Sequence, residues 1–400
     1  MALAPAYVVR WHYGFYPTTL LEHTIVVTVL VFLFETWRSG ARLEWRSPFV
    51  WPALLLVIAA ALDVVEAPSR VAALGLFRAY FIEPLAMAFV LVHIMNTPRR
   101  AFVVLAGLGV AGIVVSAPNA VVVLEALRAH TYDVTQTPPV VIYTTANALA
   151  LFLGPLLAFA ATLLLHADDR NVRAGSAVFL VVAGPAMLLT FSRGGLLAMA
   201  VVAVGLAISH RRRLWLLAGT AAAAAVLLLI PPIFHRIAIE FQNVGGTTFF
   251  GRAGRLSLWS ATLQMLSHYP VFGAGLSGFA DRIGPYWNAT HPERFIDPHN
   301  IVLNFWVETG VLGVIAMAWI FFAAFRWSWT DRRVEDGLWR AIDLGALLAL
   351  VAVVVHGLVD VPYFKNDLSL EFWTIVALVE CVRRFGRRLA ASNPAVKSAA

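Results

Sequence analysis

Three arginines and one histidine carry most of the chemical promise of this 400-residue sequence. Arg193 lies in Ser192-Arg193-Gly194-Gly195, between two apolar runs. An arginine next to membrane-length apolar sequence is costly unless it is paired or lines a wet cavity. Gly194 and Gly195 let a backbone or ligand approach closely. A helix starting there adds N–H groups and the positive end of its dipole, which together suit a phosphate. The same residues also read as an interfacial arginine that snorkels to headgroups. Arg252 and Arg255, in Phe249-Phe250-Gly251-Arg252-Ala253-Gly254-Arg255, could join Arg193 in clamping a diphosphate, or could be ordinary surface charge. Asp297-Pro298-His299-Asn300 offers an imidazole able to accept a proton near neutral pH. Asn300 would hold a hydroxyl or cap the next helix. His356 and Asp360 stand four residues apart, which places them on one face of a helix. Two ligands are too few for a metal site, so this pair reads as polar lining of a cavity.

Other matches carry less. Gly273-Ala274-Gly275-Leu276-Ser277-Gly278 fits G-x-G-x-x-G, but a dinucleotide site needs a preceding strand and a βαβ unit. Asn288-Ala289-Thr290 is a glycosylation sequon by pattern only. There is no Walker A motif, zinc motif or nucleophile elbow. Asp63, Arg78, Glu83, Glu308 and Asp343 fall inside apolar runs, as structural pairs or as part of a transport path.

The elements that must position these residues are membrane helices. Hydrophobic residues make up 60% of the chain and charged ones 13%, with a mean hydropathy of +0.77. Soluble domains keep about a quarter of their residues charged. Apolar runs recur at 18–34, 49–64, 71–95, 101–116, 145–166, 176–191, 195–209, 214–230, 301–325, 338–359 and 368–382. These are solid runs of spanning length, unlike the alternating segments of about ten residues in a β-barrel. The expected class is all-α, a polytopic bundle of eleven or twelve transmembrane helices. Five connections and the tail at Arg383, Arg384, Arg387 and Arg388 are basic, and alternate threading brings all six to one side, the cytoplasm. That scheme leaves the N-terminus outside unless a degenerate span covers 1–11. The net charge of +7 is thus explained by topology and does not indicate nucleic acid. Cys381 is the single cysteine, which excludes an intrachain disulfide framework.

The chain divides into an N-terminal bundle (1–230), a large outer loop (231–300) and C-terminal helices with a basic cytoplasmic tail (301–400). Loops longer than about 15 residues are usually functional or disordered. Regular Phe, Trp, Tyr and Leu in this one predict a folded segment. Leu256, Trp259, Leu263 and Leu266 predict the apolar face of an amphipathic helix over 256–267.

In this order the motifs resemble those of the O-antigen ligase / O-antigen polymerase superfamily, which also contains protein O-oligosaccharyltransferases. The stretches that carry the resemblance are Tyr143–Ala150, Ser192–Gly195, Gly251-Arg252 with Trp259, Pro270–Gly275, His299-Asn300, Glu308-Thr309-Gly310 with Gly313, and His356 with Asp360. The first 140 residues match only as apolar spans. The resemblance implies a helical GT-C-type glycosyltransferase in the bacterial inner membrane, metal-independent, inverting and free of cofactors. Its donor would be a glycan on polyprenyl (undecaprenyl) diphosphate, and its acceptor lipid A–core, a growing glycan or a protein hydroxyl. Arg193 and Arg252 would bind the diphosphate, with Gly194 and Arg255 beside them. His299 would activate the acceptor, supported by Asn300, His356 and Asp360. A polymerase shares this donor site. A transporter or flippase would instead show inverted repeats or broken helices near the midplane, and a scaffold would have no reason to gather these cations on one side.

Overall fold

Without water in the hydrocarbon core, an apolar run must close its backbone hydrogen bonds on itself, so it becomes a helix. The computed structural model describes residues 1–14, 16–132, 137–229, 234–235, 238, 254–287, 295–330 and 336–392. Each of the eleven apolar runs is a helix there. The first eight are α1 (Leu20–Ser39), α2 (Val50–Glu66), α3 (Arg70–Ile94), α4 (Pro98–Arg128), α5 (Ala146–His166), α6 (Arg170–Leu189), α7 (Arg193–Ser209) and α8 (Arg213–Leu228). Two short helices follow outside the bundle, α9 (Arg255–His268) and α10 (Phe279–Arg282). The bundle resumes with α11 (Ile301–Thr330), α12 (Gly337–Gly357) and α13 (Asn366–Ser392).

Among the described residues, seven helices are long and apolar enough to span on their own: α1, α3, α4, α5, α6, α11 and α12. The chain is therefore a polytopic membrane protein. The other expected spans are shorter or more polar. α2 and α7 have 17 residues and α8 has 16. α13 carries Asp367, Glu371, Glu380 and Arg383, all buried, in the best-enclosed helix beside α5. Helices apolar or sheltered all round belong in the middle. α12 packs across α5 and α7, and α11 lies along α2. Small residues allow this: a Cβ on Gly345 would come within 2.6 Å of Phe159, and one on Gly205 within 2.8 Å of Leu348.

Three expectations need correcting. Residues 1–11 hold no span: Ala4–Val8 is a 3-10 turn, and Arg10–Tyr13 pairs antiparallel with Tyr16–Thr19, a small exception to the all-α class. The helix read as 101–116 starts at Pro98 and runs on to Arg128. In α9 the buried face is Leu258, Ala261, Thr262, Met265 and Leu266, while Leu256 and Leu263 are 43% and 50% exposed. The reason is tertiary. α9 forms a small core with Ala274, Phe279, Ile283 and Val307, and that neighbour rather than the local periodicity selects the inward face.

The connections separate into two ends. At one, the Glu44 N–H donates to His93 Nε2 (3.1 Å), Arg384 lies 3.5 Å from Glu44, and the rings of His166 and His210 are 5.5 Å apart. These contacts join the loop after α1 to the end of α3 and to the tail, and the end of α5 to the connection after α7. At the other end, Arg282 donates to the Glu66 carbonyl (2.8 Å) and Asn300 to that of Leu358 (2.9 Å).

α11 is broken. Thr309 (φ −138°, ψ 15°) and Gly310 (φ 60°, ψ −171°) leave the helical region, and residues 270–278 enter the gap. The Val311 N–H donates to the Val271 carbonyl (2.9 Å), Ala274 to Val307 (2.7 Å), Leu276 to the Asp63 carbonyl (3.1 Å) and Ser277 to Glu308 Oε2 (2.5 Å). A Cβ on Gly273 would sit 2.2 Å from the Trp306 carbonyl oxygen, and one on Gly310 2.3 Å from that of Val271. The glycine-rich motif is thus a backbone-packing device. Irregular backbone at this depth survives because protein encloses it.

Candidate active site

Three helices begin at the second end of the bundle, two with an arginine as first residue and one with an imidazole two residues before its first. α7 starts at Arg193, α9 at Arg255, and α11 follows His299 and Asn300. Helix starts supply unsatisfied N–H groups and positive potential, so added cations make the place attractive to anions.

His299 is fixed by its own turn. Asp297 Oδ1 accepts from the His299 N–H (2.8 Å), and His299 adopts φ +50°, a conformation uncommon outside glycine. Asn300 caps α11 by accepting from Val302 and Leu303 (both 3.0 Å), while its amide donates to Leu358. Both ends of this amide therefore frame the site. The ring of His299 presents Nδ1 to two carboxylates, Asp297 Oδ1 at 3.1 Å and Asp360 Oδ1 at 3.6 Å. This electrostatic setting favours the proton on Nδ1 and leaves Nε2 as the acceptor.

Asp360 is buried, which by itself would raise its pKa. The closeness of His299, His356 and Arg255 outweighs burial and holds it at about 2. Arg255 is drawn down by burial, against the support of Asp360 and Asp297. Arg255 is therefore part of the same charge cluster as His299. The pairing of His356 with Asp360 on one helical face is corrected: α12 ends at Gly357, so Asp360 lies beyond it and turns to His299.

His356 faces α7 instead. Its Nε2 lies 3.3 Å from Ser192 Oγ, which also meets Asn147 Oδ1 and accepts from the Gly195 N–H (3.3 Å). Gly194 lies flush with it, since a Cβ there would come within 2.8 Å of His356 and 2.7 Å of Val359. The Arg193 side chain is exposed beside this contact. Arg193, Gly194, Arg255, His299, Asn300, His356 and Asp360 thus share one end; Arg252 lies outside the described residues. Ser192, Asn147 and Asp297 were not among the sequence candidates. They belong to quoted motifs, but only tertiary contact reveals their partners.

Residues 178–318 match the family model described as O-antigen ligase. They form an O-antigen ligase domain. No curated protein matches the chain. The O-antigen ligase domain contains Arg193, Arg255, His299 and the broken α11, whereas Asn147, His356 and Asp360 are supplied from outside it. A domain of this family points to glycan ligase or transferase chemistry, with lipid-linked glycans as the substrate class the family implies.

Proposed function

We propose that the protein transfers a glycan from a polyprenyl diphosphate to an acceptor hydroxyl at the non-cytoplasmic face of the bacterial inner membrane, as a ligase with lipid A–core as acceptor. The observation that carries this reading is His299 held between Asp297 and Asp360, with Arg255 in the same charge cluster. His299 Nε2 takes the proton of the acceptor hydroxyl. The freed oxygen bonds to the anomeric carbon from the side opposite the diphosphate. The bond from that carbon to the diphosphate oxygen breaks, and its electron pair leaves on the diphosphate. Arg193 and Arg255, with Arg252 three residues earlier in sequence, stabilise that charge as it develops. The anomeric centre inverts, and neither a metal nor a nucleotide takes part in the scheme.

Reconstitution tests this. The purified protein is supplied with a polyprenyl-diphosphate glycan and, separately, with lipid A–core, free glycan and a hydroxyl-bearing peptide. Transfer to lipid A–core is the expected result, lost in Arg193→Ala. Consumption of the donor glycan as its own acceptor would make the protein a polymerase. Movement of the carrier across vesicles without transfer would make it a flippase and overturn the reading.

A further inference from the structure

Ser192 and His356 join two parts of the site that the chain itself keeps far apart. Ser192 is the N-cap of α7, whose first residue is Arg193. His356 lies in the last turn of α12, four residues before Asp360, which contacts His299. The Ser192 hydroxyl is used on every side: it meets Asn147 Oδ1, accepts from the Gly195 N–H and faces His356 Nε2. Asn147 is therefore the acceptor for the Ser192 O–H, so His356 presents its Nε2–H to the Ser192 oxygen. Ser192 and His356 are both buried, at 7% and 3% exposure. Backbone packing presses on the same spot, because Gly194 leaves no room for a side chain against His356. The preceding residue, Phe191, is held at φ +50°, an unusual conformation for a bulky side chain, so the entry into α7 is tightly determined.

We propose that Asn147, Ser192 and His356 are positioning residues, forming a latch that fixes the start of α7, and with it Arg193, relative to His299. The latch touches neither the reacting carbon nor the acceptor; it acts through the placement of Arg193. In its catalytic consequence the proposal rests on the glycan-transfer reading, with Arg193 on the donor diphosphate.

The test has two independent arms. In a Cys381→Ser background, Arg193→Cys provides a probe, and its reaction rate with a maleimide is measured in detergent. Adding Ser192→Ala or His356→Leu should raise that rate roughly 3- to 10-fold, the scale of one lost hydrogen bond. His356→Gln, which keeps an N–H donor at the Nε2 position, should leave it unchanged. Equal rates in all four proteins would overturn the latch. In the second arm, with Arg193 intact, Ser192→Ala and His356→Leu should raise the donor KM by a similar factor and leave the acceptor KM unchanged, with His356→Gln rescuing. A purely structural role would lower the folded yield without this split. An accelerated probe in a parent protein that transfers no glycan would leave the latch standing and remove the functional reading.

Discussion

His299 is the residue on which the chemistry turns, and its surroundings make separate predictions for catalysis and for stability. His299→Ala should lower kcat by about 10²–10⁴-fold, the usual contribution of a general base, while the variant is recovered from membranes at the parental level. Parental turnover would remove His299 from the mechanism. Asp360 is held at about pKa 2 by its neighbours despite burial, against roughly 3.9 in an unfolded chain. Because the folded value is depressed, its stabilising contribution is present above the unfolded pKa and is lost as pH falls through about 2. Asp360→Asn should therefore cost about 2–3 kcal/mol at neutral pH, and the gap in melting temperature from the parent should close between about pH 4 and pH 2. A gap that persists at pH 2 would contradict the ionised assignment. At this scale the sequence disclosed residue types well: Arg193 and His299 stand out because cations and imidazoles are rare beside apolar runs. Their partners were hidden. Asp360 lies 61 residues from His299 and Ser192 164 from His356, separations on which no local periodicity acts.

The elements were legible wherever length and hydropathy sufficed, which is why all eleven runs appear as helices. The break in α11 was not, because its hydropathy continues on both sides of Thr309 and Gly310. The signal present was Glu308-Thr309-Gly310 itself, but α12 carries Asp343 and Gly345 without a break, so residue types alone did not mark the interruption. Gly310→Ala would combine the strain of φ +60° with a contact to the Val271 carbonyl, costing about 3 kcal/mol or more. Gly284→Ala, which meets nothing within 4 Å, should be close to neutral and serves as its control. Glu308→Ala would strand the Ser277 N–H in an enclosed place and cost about 1–3 kcal/mol. Heating followed by size-exclusion chromatography in detergent ranks all three, and a stable Gly310→Ala protein would argue against the inserted loop. The face of α9 was misread for a related reason. Leu256 and Leu263 have helical spacing, but the small core on the other side of the helix decided which residues turned inward.

Across the whole molecule, the two ends define a testable orientation. In a Cys381→Ser background, cysteines replacing the exposed Ser39 and Ser69 lie at opposite ends. In intact cells a membrane-impermeant maleimide should label Ser69→Cys and spare Ser39→Cys; the reverse pattern would turn the site toward the cytoplasm. The expectation of this sidedness comes from basic connections that recur at one end, a pattern carried by charge rather than by contacts. The inserted loop has a further consequence for how such a protein can be altered. Its backbone is completed by the carbonyls of Asp63 and Val307 and by the Glu308 carboxylate, which come from two separate helices. A fragment cut from 231–300 would lose Val307 from its apolar cluster and forfeit those partners as well. Grafting this segment onto a relative would succeed only if its socket in α2 and α11 travelled with it, so the natural unit of exchange is a discontinuous one.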